Sequence, residues 1–119
     1  MGEIAEIAER RTNKRFPAKE RALVSIRSDS YGMLYHLIEI SNGGLSFRYL
    51  EEDVLTKSLS ELSIVLEDNF YVDSLPVEIV SDTLLVNGYI PVRRRSVRFG
   101  ELSPRQKTQL IDFIKKNTE

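Results

Sequence analysis

The segment YHLIEISNGGLSFRY, residues 35–49, decides the fold. Side chains in a strand alternate between two faces, so a strand here sets His36, Ile38 and Ile40 on one face and Leu37, Glu39 and Ser41 on the other. Asn42-Gly43-Gly44 is a strong turn signal, because glycine takes positive φ at no steric cost. Leu45, Phe47 and Tyr49 then alternate with Ser46 and Arg48. Two alternating runs about a glycine turn read as a β-hairpin, which predicts an antiparallel sheet.

The same pattern continues outward from this hairpin. Ala22, Val24 and Ile26 share one face of a preceding strand, which turns around Asp29-Ser30-Tyr31-Gly32. Residues 51–60 are polar and read as a loop or a short helical turn. LSIVL (62–66), FYV (70–72) and PVEIV (76–80) read as further strands, with Pro76 at an edge or bulge because it cannot donate to a ladder. Asn87-Gly88 is a second hairpin turn candidate, and Tyr89 to Phe99 supplies the last strand or strands. Ser103 at the N-cap, Pro104 at N1 and Gln106 at N3 form a capping box, and Leu110, Phe113 and Ile114 then recur at helical spacing. Several short antiparallel strands plus one terminal helix point to a small barrel or closed sandwich; the expected fold is mainly β, a single domain over 1–119, with a six-stranded antiparallel barrel over 21–102 and a C-terminal helix over 103–117. A short helix over 3–10, with Ile4, Ile7 and Ala8 on one side, and a flexible basic arm over 1–20 precede it.

Composition excludes several function classes. The 119 residues suit one domain, and there is no cysteine, so disulfides and thiolate metal sites are out. The single histidine, His36, cannot build a multi-histidine metal centre, and no metal or cofactor is expected. His36 shares a predicted face with Ile38 and Ile40 and so reads as a structural residue. No phosphate loop, HExxH pattern or nucleophile elbow occurs, and no enzyme is expected. No apolar run approaches the roughly 18 residues of a membrane-spanning helix. The opening MGEIAEIAERR lacks a secretory apolar region, and Glu6 stands where a myristoylation signal needs Ser or Thr. The expected compartment is the cytoplasm.

Charge is balanced overall, at −1, but unevenly placed. Arg10, Arg11, Lys14, Arg15, Lys19 and Arg21 cluster against Glu20 alone, and Arg93, Arg94, Arg95 and Arg98 form a second group. Residues 51–82 are acidic. This is the pattern of a local anion site on a neutral protein, and no nucleic-acid partner is expected. A guanidinium fork matches phosphate bidentately, stacks on aromatic planes and pairs with guanine O6 and N7. A ligand with both phosphates and guanines suits the pair Arg11 and Arg15, although a solvated basic tail has the same composition. Glu39 and Ser41 stand two apart just before the glycine turn, where a hydroxyl and a backbone N–H can meet a base edge or phosphate. Ser41 can equally serve the turn's own backbone. By alternation, Arg94 and Arg98 share one face and Arg93 and Arg95 the other, so they cannot all meet one ligand; most read as strand-end charges balancing the acidic middle.

RRTNKRF ahead of a strand, followed by EISNGG closing the next one, resembles the PilZ domain family. That pattern is R-x-x-x-R, then Asp or Asn-x-Ser-x-x-Gly some 20–30 residues on. Arg11 and Arg15 match its first half, Ser41 and Gly44 its second, and VRRRSVRFGELSPRQKTQLIDFI is similar to its end; the resemblance covers about residues 10–116. It implies a module that binds cyclic di-GMP through Arg10, Arg11, Arg15, Glu39, Ser41, Gly43 and Gly44, and that signals to a protein partner by ordering its arm. Arg10, just before the motif, implies two stacked ligand molecules per chain. Glu39 departs from the pattern: its extra methylene moves the carboxylate by about one bond length, enough to weaken a geometry-dependent contact. A PilZ-like adaptor that has lost the ligand, or a small barrel binding another anion, are the competing readings.

Overall fold

A computed structural model describes residues 14–19, 21–28, 31–51, 59–67 and 69–118. The elements are β1 (Phe16–Pro17), β2 (Ala22–Ser28), β3 (Tyr31–Ile40), β4 (Gly44–Leu50), β5 (Glu61–Leu66), β6 (Asn69–Val86), β7 (Val92–Phe99) and α1 (Pro104–Asn117). The strands run in the order β1-β3-β2-β5-β6-β7-β4, and β4 pairs back onto β3. Strands β2 to β7 thus close an antiparallel six-stranded barrel, as expected, with β1 as a short addition outside β3.

Inward side chains from every barrel strand fill the core, among them Val24, Ile40, Phe47, Ile64, Val72 and Val97. Each large apolar side chain so buried contributes roughly 1.5–3 kcal/mol before entropy is counted. The tilted rings of Tyr35, Phe47 and Tyr49 extend the core along β3 and β4. Helix α1 lays Leu110, Phe113 and Ile114 into it, with Phe113 edge-on to Tyr71 at 5.2 Å.

The hairpin of β3 and β4 forms as expected, but its register is not uniform. Ile38 is an extra residue: Leu37 faces Phe47, whereas Glu39 faces Ser46. A bulge of this kind inverts the in–out phase of a strand. Tyr35 and Leu37 therefore point inward before it and Ile40 after it. His36, expected to share a face with Ile38 and Ile40 as a structural residue, lies opposite Arg48 and is exposed.

The two strands expected at 70–72 and 76–80 are parts of one 18-residue strand, β6. It bends through bulges instead of breaking. One lies at Asp73–Ser74, where Ser74 has φ 52° and Ser63 Oγ accepts from the Ser74 N–H while donating to Asp73. Pro76 sits just past that bulge, opposite Glu61.

Residues 14–19, expected within a flexible arm, are tied down. Phe16 and Pro17 pair with Ile40 and Glu39, and the Ala18 N–H donates to Ile38 O at 2.9 Å. Ala18 also bridges Thr118 beyond the end of α1. The short helix expected over 3–10 lies outside the described residues.

Candidate functional site

The site is built where β1, the end of β3, the start of β4 and β7 meet. Its turn is held by Ser41. The Ser41 hydroxyl accepts from the N–H groups of Gly43 and Gly44, both at 3.1 Å, and the Ser41 N–H donates to Gly44 O at 2.8 Å. Ser41 thus takes the second of the two roles open to it and serves the turn's backbone. Gly43 O accepts from the Phe99 N–H, which fastens the turn to β7. At Gly44 the adjoining strand comes so close that a Cβ would lie 2.2 Å from Val97 O. None of the described glycines has positive φ, so glycine is required here by proximity and not by backbone angle.

Glu39, the residue that departs from the expected pattern, is a hub. Its Oε1 accepts from Arg15 Nη1 at 3.2 Å and from Arg94 Nη2 at 2.5 Å. Arg15 comes from the segment entering β1 and Arg94 from β7, so one carboxylate joins the two arginine groups. All three side chains keep partial exposure, 46% for Arg15, 28% for Arg94 and 23% for Glu39. Lys14 lies over the Phe16 ring, 5.4 Å from its centroid. Directly across from Glu39 on β4 is Ser46, which in turn faces Ser96 on β7. Opposed residues in an antiparallel pair share a face, so Glu39, Ser46 and Ser96 line one outer surface, and Arg94 and Arg98 flank it two positions from Ser96.

The other arginines of β7 are engaged elsewhere. Arg93 and Arg95 both donate to Asp82, at 2.7 and 3.0 Å, and Tyr49 donates to the same carboxylate. Burial pushes the Asp82 carboxyl up, but the hydrogen bonds from Tyr49, Arg93 and Arg95 outweigh it and leave the group below its ordinary value. Burial, with the Asp82 contact, raises the Tyr49 phenol. Arg98 pairs with Glu78 at 2.9 Å. The predicted division of faces therefore holds, with Arg93 and Arg95 joined at one acid and Arg94 and Arg98 on the other side.

Of the expected ligand residues, the structure brings Arg15, Glu39, Ser41, Gly43 and Gly44 into one neighbourhood. Arg10 and Arg11 lie outside the described residues. Sequence reasoning weighed Arg94 only as one of four arginines that could extend the anion site, without singling it out, and it missed Ser46. The available signal was the alternation that separates Arg94 from Arg93 and Arg95; the pairing of β7 with β4 was not visible. An apolar cavity of about 420 Å³ lies beyond the turn, lined by Asn42, Gly43, Phe99, Leu102, Leu110 and Ile111, among others. Among the described residues no cluster of three or more His, Cys, Asp or Glu side chains could hold a metal ion. No described helix is long and apolar enough to cross a membrane.

Comparison with known proteins bears on this arrangement. The family model described as the PilZ domain matches residues 9–116. The chain is similar to the PilZ domain of YcgR from Escherichia coli, solved with c-di-GMP, at TM-score 0.66 and 18% identity over 91% of both chains. It is also similar to the MrkH–c-di-GMP complex of K. pneumonia, at TM-score 0.69 and 12% identity over 88% of this chain and 51% of that one. PlzA of Borreliella burgdorferi, in complex with c-di-GMP, gives TM-score 0.64 and 15% identity over 95% and 55%. The chain thus spans about half the length of MrkH and PlzA. No curated protein matches it. A family match over nearly the whole sequence, on a closed six-stranded barrel with a capped C-terminal helix, identifies the chain as a member of the PilZ domain family.

Proposed function

We propose that the chain is a cyclic di-GMP-binding effector module of the cytoplasm and not an enzyme. Arg10, Arg11 and Arg15 capture the ligand against the strand end formed by Glu39, Ser41, Gly43 and Gly44. The observation that carries this reading is the convergence of the two half-motifs: Arg15 and Glu39, 24 positions apart, are in contact at 3.2 Å. The solved relatives named with c-di-GMP share the fold and add support. Binding changes the arm, and the change is passed to a protein partner.

Calorimetric titration with cyclic di-GMP tests the reading. Arg11→Ala and Arg15→Ala should each weaken binding at least about tenfold, since a hydrogen bond to a charged group contributes ~1.5–3 kcal/mol. Arg10, at the position associated with stacked ligand, predicts two molecules per chain, and Arg10→Ala should lower the stoichiometry or the second affinity. Wild-type protein that shows neither heat nor a melting shift with the dinucleotide would leave the adaptor reading. Tight oligonucleotide binding that collapses with salt would instead favour a phosphate-driven nucleic-acid binder.

A further inference from the structure

Two groups on the outer face of β3, β4 and β7 lie outside the motif halves. Arg94 is bound to the Glu39 carboxylate at 2.5 Å. Ser46 is 2% exposed, and its hydroxyl has no hydrogen-bond partner among the described residues. Cross-strand pairing sets Ser46 on the same face as Glu39, with Arg94 two positions along β7 from Ser96, its opposite number.

We propose that Arg94 and Ser46 form a phosphate subsite of the cyclic dinucleotide, and that Glu39 fills it with its own carboxylate until the ligand displaces it. This rests on the reading that the chain binds cyclic di-GMP. The chemistry of the parts favours it. A carboxylate and a phosphodiester offer a guanidinium the same pair of acceptor oxygens and the same single negative charge, so a ligand phosphate can take the place of Glu39 on Arg94. Arg94 is carried by a central strand of the barrel, paired on both sides, and is thus placed in advance of any movement of the arm. A buried hydroxyl without a partner is exceptional in a folded protein; a phosphate oxygen beside Arg94 would supply the missing acceptor. The neighbouring arginines have their own acids, Asp82 for Arg93 and Arg95 and Glu78 for Arg98, and none of those acids reaches the arm segment through a described contact. Glu39 does reach it, through Arg15, so displacing this one carboxylate frees two guanidinium groups together. Glu39 then has two states: closed, its carboxylate competes with the phosphate for Arg94 and Arg15; displaced, it lines the strand end that holds the ligand.

The test compares calorimetric titrations with cyclic di-GMP and melting curves with and without inorganic pyrophosphate. Arg94→Ala should weaken cyclic di-GMP binding by about tenfold or more, and Arg94→Lys should recover only part of it, since an ammonium keeps the charge without the fork. Ser46→Ala should weaken binding several-fold while Tm holds or rises, the opposite of what a purely structural serine would show. Glu39→Gln, which keeps the shape and removes the charge, should tighten binding. Arg105→Ala, at an exposed arginine of α1, controls for bulk charge and should stay within about twofold of wild type. Binding by Arg94→Ala and Ser46→Ala within that same margin overturns the subsite, as does a loss in Arg105→Ala equal to that in Arg94→Ala. If Arg94→Ala fails to fold, Arg94→Lys and Ser46→Ala decide. Wild type that binds no cyclic di-GMP defeats the ligand reading, and the subsite is then judged on pyrophosphate alone. A larger pyrophosphate-induced rise in Tm for Glu39→Gln than for Glu39→Gln/Arg94→Ala sustains it, and equal rises overturn it.

Discussion

At Gly44 the barrel has no room for a side chain. A methyl group there would meet the Val97 carbonyl, which is backbone and cannot rotate away. Gly44→Ala should therefore destabilise the protein by roughly 1–3 kcal/mol, the usual cost of overpacking, read as a shift in denaturation midpoint. The sequence pointed to this glycine for its conformational freedom; the operative reason, a carbonyl from a strand more than 50 positions away, is a tertiary fact that no local pattern holds. Asp82 shows the same limit. It reads as one more acid in an acidic stretch, yet it collects Tyr49, Arg93 and Arg95. Its carboxyl is held below the ordinary value, 3.8. A carboxyl depressed by folding contributes stability that is present above the unfolded value and is lost as pH falls from there through the folded value. Tm should thus drop as the pH is taken below about 4. Asp82→Asn should lower Tm at neutral pH and flatten that acid limb in a pH series of melting curves. Part of the limb should survive, because the hydrogen bond from Tyr71 also depresses Asp112.

Elements divide by how local their determinants are. The start of α1 was legible to the residue, since Ser103, Pro104 and Gln106 carry the whole signal within four positions, and the reciprocal capping box is formed. Gln106 does more than cap: its side-chain amide donates to Asp73 O and Ser74 O at 3.0 and 3.1 Å, which pins the helix to the bulge of β6. Ser103→Ala should cost about 1 kcal/mol, the typical worth of an N-cap. Gln106→Ala should cost more than Ser103→Ala, because it also leaves two bulge carbonyls without this donor; chemical denaturation of the two variants ranks them. The strands were legible as alternation, but their bulges were not. An extra residue at Ile38 looks, in sequence, like one more step of the pattern, and it reverses the face of every residue after it. Counted back from the inward Ile40, that single step leaves His36 outside, and it sends Glu39 to the surface where Arg15 and Arg94 can reach it.

The barrel as a whole followed from many short alternating strands and one terminal helix, and these were legible because each inward residue declares its face. Closure was not. It depends on β4 meeting both β3 and β7, which the order of strands along the chain does not state, and it is closure that brings Arg94 beside Glu39. The described chain also nearly closes on itself. Ala18 and Thr118 face each other in an isolated antiparallel bridge, and the Lys19 N–H donates to Asn117 O at 3.2 Å. Opposed Cα atoms in such a pair lie about 4.5–5.5 Å apart, within the span a disulfide needs. The chain has no cysteine to compete. Ala18→Cys/Thr118→Cys should therefore oxidise cleanly, and closing a loop of this size should stabilise the protein by up to ~4–5 kcal/mol in the chain-entropy view, seen as a higher Tm for the oxidised than for the reduced form. An entry point and an exit point lying side by side have a further meaning for protein engineering. A module of this shape fits into a tight surface loop of an unrelated host without prising the host apart, since host residues on either side of the graft stay neighbours.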